Sequence, residues 1–421
     1  MSLRARVRLL RERLGLPAFV VAVAAVALCA VGLAMAASVG VHSERLEGIA
    51  GAQATRLILA VPIVAAAFWI RPRWVRANAY AFYALAVFGL VVVLAFGRVV
   101  NGSRRWLDLP AGLKLQPSDF AKLALALALA RFLAARPRAR TWGGIAAVLA
   151  LTALPMLLTL GEPDLGTALV FVPVAAASLD VAGASRRRLA ALALAAALVA
   201  TPLAAFGLRG YQLQRIETWW RQDNLSPSEK LAEGYHLERS KIAIGTGGIF
   251  GQGLGEGPQN RNDLLPERHT DFILSVVAEE LGLVGALAVL ALELALPLGC
   301  LVIALRVREP FARIGIVGIA AQLGAQSVVN IGVATGTLPT TGIALPLVSY
   351  GGSSALVTLA GIALALNLAA HAEPVLSGEC FEAAEEATRL HREIEPSPRR
   401  LRPRPKPPVR PAPRAGREAR M

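Results

Sequence analysis

Apolar residues in this chain fall into long runs separated by short polar turns. With about 20 apolar residues taken as the length of a membrane-crossing helix, spans are expected near residues 17–41, 52–70, 77–96, 117–134, 142–160, 165–182, 189–208, 281–305, 314–334 and 353–371. The predicted fold class is therefore an all-α polytopic membrane protein of about ten transmembrane helices. One polar stretch breaks the rhythm: residues 213–271 hold no span. A loop of roughly sixty residues between helices 7 and 8 is too long to be a mere connection. It is expected to do chemistry or bind a partner.

Composition agrees with this class, because 55% hydrophobic residues, 17% charged residues and a mean hydropathy of +0.53 exclude a soluble globular chain. Charge sets the orientation. With the Arg-rich N-terminus (Arg4, Arg6, Arg8, Arg11, Arg13) in the cytoplasm, the turns RPRWVR from Arg71, ARPRAR from Ala135, SRRRL from Ser185 and RVREPFAR from Arg306 all fall inside, as basic loops should. Both termini are then cytoplasmic, and residues 213–271 face outward with the loop at 97–116. These outer loops are basic too, against the rule, so their cations suggest an anionic ligand.

The predicted organisation is a cytoplasmic N-terminus at 1–16, a membrane domain at 17–371 and a cytoplasmic tail at 372–421. From Pro396 the tail carries eight prolines and nine Arg or Lys against one Glu, a polybasic composition suited to anionic lipid headgroups. Membrane lipids, and not nucleic acid, are the partners expected for this charge. Ala34-Met35-Ala36 resembles a signal-peptidase site, but the run before it is longer than a signal's roughly 7 to 15 apolar residues, so it reads as a span. Cys29 and Cys300 lie in predicted spans and Cys380 follows the last, so no external disulfide is expected. Neither CxxC nor HExxH occurs, which argues against a zinc site.

The outer segments hold the candidate chemistry. Residues 213–271 combine a Gly-rich run (Gly245 to Gly257) with Arg239, Lys241 and Arg268, and end on Asp271 where the chain re-enters the membrane. The glycines permit close approach to a ligand and the cations suit phosphate. In the loop after the third span, Arg104 and Arg105, donors of planar, phosphate-matching geometry, stand beside Trp106; an ordinary interfacial anchor is the lesser reading. Gln116-Pro117-Ser118-Asp119 looks like a helix start, with Lys122 three positions beyond Asp119 on the same face. That spacing gives a local ion pair or a site flank. Glu162 and Asp164 sit in an outer hairpin, where solvated turn residues are common. Glu293 lies in the middle of the eighth span and needs a partner or a polar cavity. Gln322, Gln326 and Asn330 form a polar stripe that more often joins helices than binds substrate. Pro339, Pro346 and their neighbouring glycines make 334–354 a re-entrant or lining segment.

In order along the chain, GSRRW, QPSDFAK, EPDLGTA, GYHLERSKIAIGTGGIFGQG, LPERHTDFI, AEELGLVG and TGTLPTTGIALPLVSYGGSS resemble the SEDS family (RodA, FtsW and SpoVE). SKIAIG, LPERHTDFI and the TG before the second LP are most like the elongation member. The resemblance implies a peptidoglycan glycosyltransferase that polymerises lipid II, a polyprenyl-diphosphate-linked disaccharide-peptide, at the outer face of the bacterial cytoplasmic membrane. A class B penicillin-binding protein is its implied partner. The resemblance makes Asp271 the catalytic carboxylate and places Trp106, Gln116, Lys122, Asp164, Glu267 and His269 at motif positions near the site. Asp119 stands where the family's QPSE has Glu, and Glu162 where QPDLG has Gln.

The chemistry so implied needs one general base and concentrated positive charge, because a sugar hydroxyl attacks an anomeric carbon whose leaving group is a pyrophosphate. Asp271 is the expected base. Arg104, Arg105, Arg239, Lys241 and Arg268 are expected to take the pyrophosphate charge, with a divalent cation (Mg or Mn) as a candidate cofactor and no organic one. Ser349 and Tyr350 complete the set of expected site residues. Three alternatives stay open: a lipid II flippase with Lys122 and Glu293 along a polar path, a scaffold for a penicillin-binding partner, and a division-type rather than elongation-type member. Ser-x-x-Lys with Ser-x-Asn and Lys-Thr-Gly is absent, so peptide cross-linking is not expected of this chain.

Overall fold

The computed structural model describes residues 15–43, 46–100, 103–108, 114–135, 138–194, 210–232 and 234–372. Its helices are α1 (Leu16–Val41), α2 (Ile49–Trp69), α3 (Pro72–Phe96), α4 (Pro117–Ala134), α5 (Trp142–Gly161) and α6 (Leu165–Val181), followed by α7 (Gly210–Trp220), α8 (Pro227–Leu231), α9 (Tyr235–Thr246) and α10 (Pro258–Arg261), then α11 (Ile273–Leu305), α12 (Pro310–Thr335) and α13 (Ser354–His371). Among the described residues seven of these, α1, α2, α3, α5, α11, α12 and α13, are long and apolar enough to cross a membrane. This is the predicted polytopic helical class. α4 falls outside that set because Asp119, Lys122 and Arg131 lie in it, yet most of its residues are buried against α3, α6 and α12. The seventh expected span lies largely outside the described residues, of which 186–194 are helical. The N-terminus and the polybasic tail also lie outside them.

Two elements depart from expectation. The loop at 97–116 forms a small antiparallel sheet, in the order β1 (Arg98–Val100), β2 (Ser103–Asp108), β3 (Lys114–Leu115). Register pairs Val99 with Arg104 and Leu107 with Leu115. Second, α11 starts at Ile273, eight residues before the expected 281. Thirty-three residues make a helix of about 50 Å, well beyond the ~30 Å hydrocarbon core, so the first turns extend past the apolar layer and can carry Glu279 and Glu280.

The Gly-rich run explains how that extension is held. α11 breaks at Gly282 (φ 68, ψ −168), and backbone from the run takes up the displaced hydrogen bonds. Leu283 and Val284 N–H donate to the Gly248 and Ile249 carbonyls at 2.9 and 3.1 Å, while Gln252 and Gly253 N–H donate to Glu279 and Glu280 carbonyls at 3.0 Å. A Cβ on Gly247 would lie 1.9 Å from the Ala278 oxygen, and one on Gly251 2.1 Å from that of Glu280. The close approach expected of these glycines is therefore to α11 and not to a ligand. The two buried acids complete the joint: Glu279 accepts from the Gln259 and Asn260 N–H groups at the start of α10 (2.8 and 3.2 Å), and Glu280 from Ser38 Oγ on α1 and Asn260 Nδ2 (2.6 Å each).

Candidate active site

A cavity of about 830 Å³ opens where β2, the start of α4, α7, the chain before α11 and the 341–354 segment converge. Five cations line it: Arg56, Arg105, Lys114, Lys122 and Arg215. So do the carboxylates Asp119, Glu267 and Asp271. A neutral or cationic guest would leave this positive surplus unbalanced, and an anion of charge −2 or −3 would offset it.

Successive side chains of a strand point to opposite sides, and β2 applies that to its arginine pair. Arg105 turns inward, where its guanidinium donates to the Pro163 carbonyl and lies 3.7 Å from Asp164. Arg104 turns out to solvent, its nearest acceptor the Leu94 carbonyl at 3.5 Å. Asp164 is buried as the N-cap of α6, accepting from Thr167 N–H (3.1 Å), Thr167 Oγ1 (2.9 Å) and Gln116 Nε2 (3.1 Å). It holds Arg105 and Gln116 from behind instead of lining the cavity. Next to it Glu162 is fully buried, with both carboxyl oxygens unpartnered. Burial and the Asp164 charge push its pKa up to about 9, against the lowering effect of Arg105. A neutral Glu162 matches the uncharged Gln of the family motif.

The Asp119–Lys122 pair forms as the i, i+3 spacing allows, with Lys122 Nζ 2.9 Å from Asp119 Oδ1 and both side chains buried. The shorter carboxylate still reaches. Its other oxygen accepts from Ser353 Oγ at 2.9 Å, which also receives Gln116 N–H at 3.0 Å, so α4 and α13 start from one shared polar cluster.

Three consecutive carbonyls fix the chain at Asp271. The His269 oxygen accepts Tyr350 N–H (2.8 Å), that of Thr270 accepts Ser349 Oγ (2.6 Å), and that of Asp271 accepts Asn330 Nδ2 (2.9 Å). Asn330, from the polar stripe on α12, thus joins the helix to this segment. Ser349 is buried and acts on the main chain, whereas Tyr350 lines the cavity with His269. Asp271 itself projects into the cavity. Burial first, and then the Glu267 charge, raise its pKa to about 6, while Arg215, Arg105 and the Thr270 hydroxyl pull it back. Gly342 leaves the space open: with φ 81, a Cβ there would lie 3.5 Å from Asp271 Oδ2.

Of the expected site residues, Arg105, Trp106, Gln116, Asp119, Lys122, Glu267, His269, Tyr350 and Asp271 line the cavity. Arg104, Lys241 and Arg268, which were expected beside a pyrophosphate, do not line the cavity. Arg104 is turned away by strand alternation, Lys241 donates to Gln222 Oε1 at 2.8 Å, and Arg268 is buried and paired with Asp263. Arg239, likewise, lies over the Tyr235 ring. In their place stand Arg56, Lys114 and Arg215, which sequence reasoning missed. Arg56 could have been found, because an arginine inside an apolar run is costly unless it works. It donates to Tyr350 Oη at 2.8 Å with its guanidinium 4.1 Å from the ring centre.

Residues 18–374 match the model of the FtsW, RodA and SpoVE family of cell cycle proteins. The chain belongs to this family. It is 40% identical over 305 residues to the peptidoglycan glycosyltransferase MrdB of Escherichia coli K12, covering 72% of this chain and 80% of that one. It is 42% identical over 310 residues to the probable peptidoglycan glycosyltransferase FtsW of Dichelobacter nodosus, covering 71% and 75%. Among solved structures, the family fold is shared with the rod shape determining protein RodA of Thermus thermophilus (TM-score 0.61, 32% identity, 83% and 95% of the two chains). It is shared also with a chain from a study of polymerization and crosslinking coordinated by a peptidoglycan synthase complex (TM-score 0.70, 32% identity, 83% and 96%).

Proposed function

We propose that this FtsW/RodA/SpoVE member is a peptidoglycan glycosyltransferase of the elongation type, polymerising lipid II at the outer face of the bacterial cytoplasmic membrane with Asp271 as its base. The observation that carries the reading is the placement of that carboxylate, with its pKa near 6, on the wall of a cavity lined by five cations. Asp271 accepts the proton of the attacking sugar hydroxyl as its oxygen bonds to the anomeric carbon. The anomeric C–O bond to pyrophosphate breaks, and the polyprenyl pyrophosphate leaves with the electron pair. Arg105, Arg56, Lys122 and Arg215 stabilise the charge that develops on it.

Among the described residues no group of three or more His, Cys, Asp or Glu side chains comes together. A divalent ion shared with a pyrophosphate needs only one or two protein carboxylates, and Glu267 fits that role. Magnesium or manganese held there would add its charge to that of the arginines on the leaving group. The partner we propose is a class B penicillin-binding protein, supported by the relative studied in a synthase complex and by the lack of transpeptidase motifs in this chain. The flippase alternative gains little support, because Glu293 accepts from Ser327 Oγ at 2.7 Å and is absent from the cavity wall.

Purified protein, with its partner, given labelled lipid II and read as glycan polymer on a gel, tests the reading. Asp271→Asn keeps the side chain's size but cannot accept the proton, so polymer should fall by about 10² or more with membrane insertion intact. Normal polymerisation by that variant would overturn the assignment. A variant that polymerises normally but fails to move lipid II across proteoliposomes would establish the flippase.

A further inference from the structure

A second cavity, of about 340 Å³, meets the first at Asp271. The two share Arg215, Glu267, Asp271 and Gly342, and otherwise differ in chemistry. Beyond the shared wall, the larger cavity adds Arg56, Arg105, Lys114 and Lys122. The smaller adds Gln214, Thr218, Trp219, His236 and Thr340, none of them a fixed charge. Burial and the nearby Arg215 lower the His236 pKa, against the raising effect of Glu267. Trp219 is held rigid by its Nε1–H, which donates to the Gly336 carbonyl at 2.9 Å. A fixed indole with amide and hydroxyl groups around it matches a pyranose, which has apolar C–H faces and a rim of hydroxyls.

Displacement at an anomeric carbon sets a geometric demand. Nucleophile and leaving group lie on opposite sides of that carbon, so they reach it from opposite directions, and the base must touch the nucleophile. Two cavities that meet at one carboxylate satisfy both conditions. Charge then assigns them. A pyrophosphate requires the cationic side, whereas an uncharged sugar ring loses nothing on a side whose only cation among the described residues is the shared Arg215.

On the glycosyltransferase reading, we propose that the smaller cavity is the acceptor subsite, which binds the uncharged N-acetylated sugar whose hydroxyl attacks, while the larger cavity binds the pyrophosphate-bearing donor. Trp219 stacks on the acceptor ring, Gln214 and Thr218 bond its hydroxyls or acetamido group, and Asp271 receives the proton at the junction. A volume near the lower end of the about 300 to 1,000 Å³ typical of ligand sites suits one or two sugar rings. It does not suit a long strand.

The test uses two probes on the purified full chain with its partner in detergent: a water-soluble reduced disaccharide-pentapeptide without pyrophosphate, and undecaprenyl pyrophosphate, which the detergent carries. Gln214→Ala changes an exposed side chain, and Trp219→Phe keeps an aromatic ring at its site. Both should weaken disaccharide binding about tenfold, the worth of one lost contact, and leave undecaprenyl pyrophosphate binding unchanged. Arg56→Gln should do the reverse. Equal loss of both probes in the Gln214 and Trp219 variants, or no loss of the disaccharide, overturns the subsite. A lipid-free glycan strand of several repeats that binds much more tightly than the disaccharide would make the cavity a product exit and also overturn it. These outcomes are separate from the Asp271→Asn assay, which can fail or succeed with either result.

Discussion

Arg104 and Arg105 are adjacent in sequence and opposite in space, which makes them a sharp test of the cavity. Arg105→Lys removes the planar fork that meets the Pro163 carbonyl and Asp164. Polymerisation per unit of expressed protein should fall at least about tenfold, the worth of one charge-assisted bond, whereas Arg104→Lys should stay near wild type. If Asp271 is the base proposed above, the pH profile should follow its ionisation: with a pKa near 6 the ionised fraction drops about tenfold from pH 7 to pH 5. Initial rates at saturating lipid II should follow that drop, and a flat profile across the interval would remove Asp271 as the titrating group. Glu162 gives a stability test of known sign. Its folded-state pKa of about 9 lies above the ordinary value of 4.5, so the folded state retains a proton that the unfolded chain releases, and this costs stability progressively as pH rises between those values. Glu162→Gln removes the penalty. Its melting temperature should exceed wild type by more at pH 8 than at pH 5, and an equal offset at both would mean that the carboxyl is ionised in the fold.

At the scale of elements, the joint between the Gly-rich run and α11 positions the site. Asp271 is two residues before α11, and the helix start is held by backbone bonds around the Gly282 break and by the Glu279 and Glu280 carboxylates. Gly251 has φ 84 and no room for a Cβ against the Glu280 carbonyl. Gly251→Ala should therefore lower the melting temperature and the amount of protein recovered in detergent, although residue 251 lines neither cavity. Gly143→Ala, where a Cβ meets open space, is the control. Run, break and acid pair were all visible in the sequence as GTGGIFGQG and AEELG, but what they touch was not. Glycine reports only that a backbone comes close, and whether to a ligand or to another backbone depends on what folds against it.

For the whole molecule, the alternating basic turns predict that the segment from α7 to Asp271 is extracytoplasmic. Ser228→Cys, at an exposed position of α8, should react with an impermeant maleimide in intact cells. Protection there, with labelling only after lysis, would invert the topology. The sequence by itself determined the helical membrane class, the approximate spans, the family and the position of Asp271 at the end of the long polar stretch before α11. Those features follow from local quantities: apolar run length and contiguous motifs. Only the tertiary structure decided which cations meet that carboxylate. Arg56 on α2, Lys114 on β3 and Arg215 on α7 arrive from distant parts of the chain, while Arg268, three residues from Asp271, turns to Asp263 instead. Proximity along the chain does not set proximity across a bundle, because helix packing and strand alternation decide which side chains face one cavity.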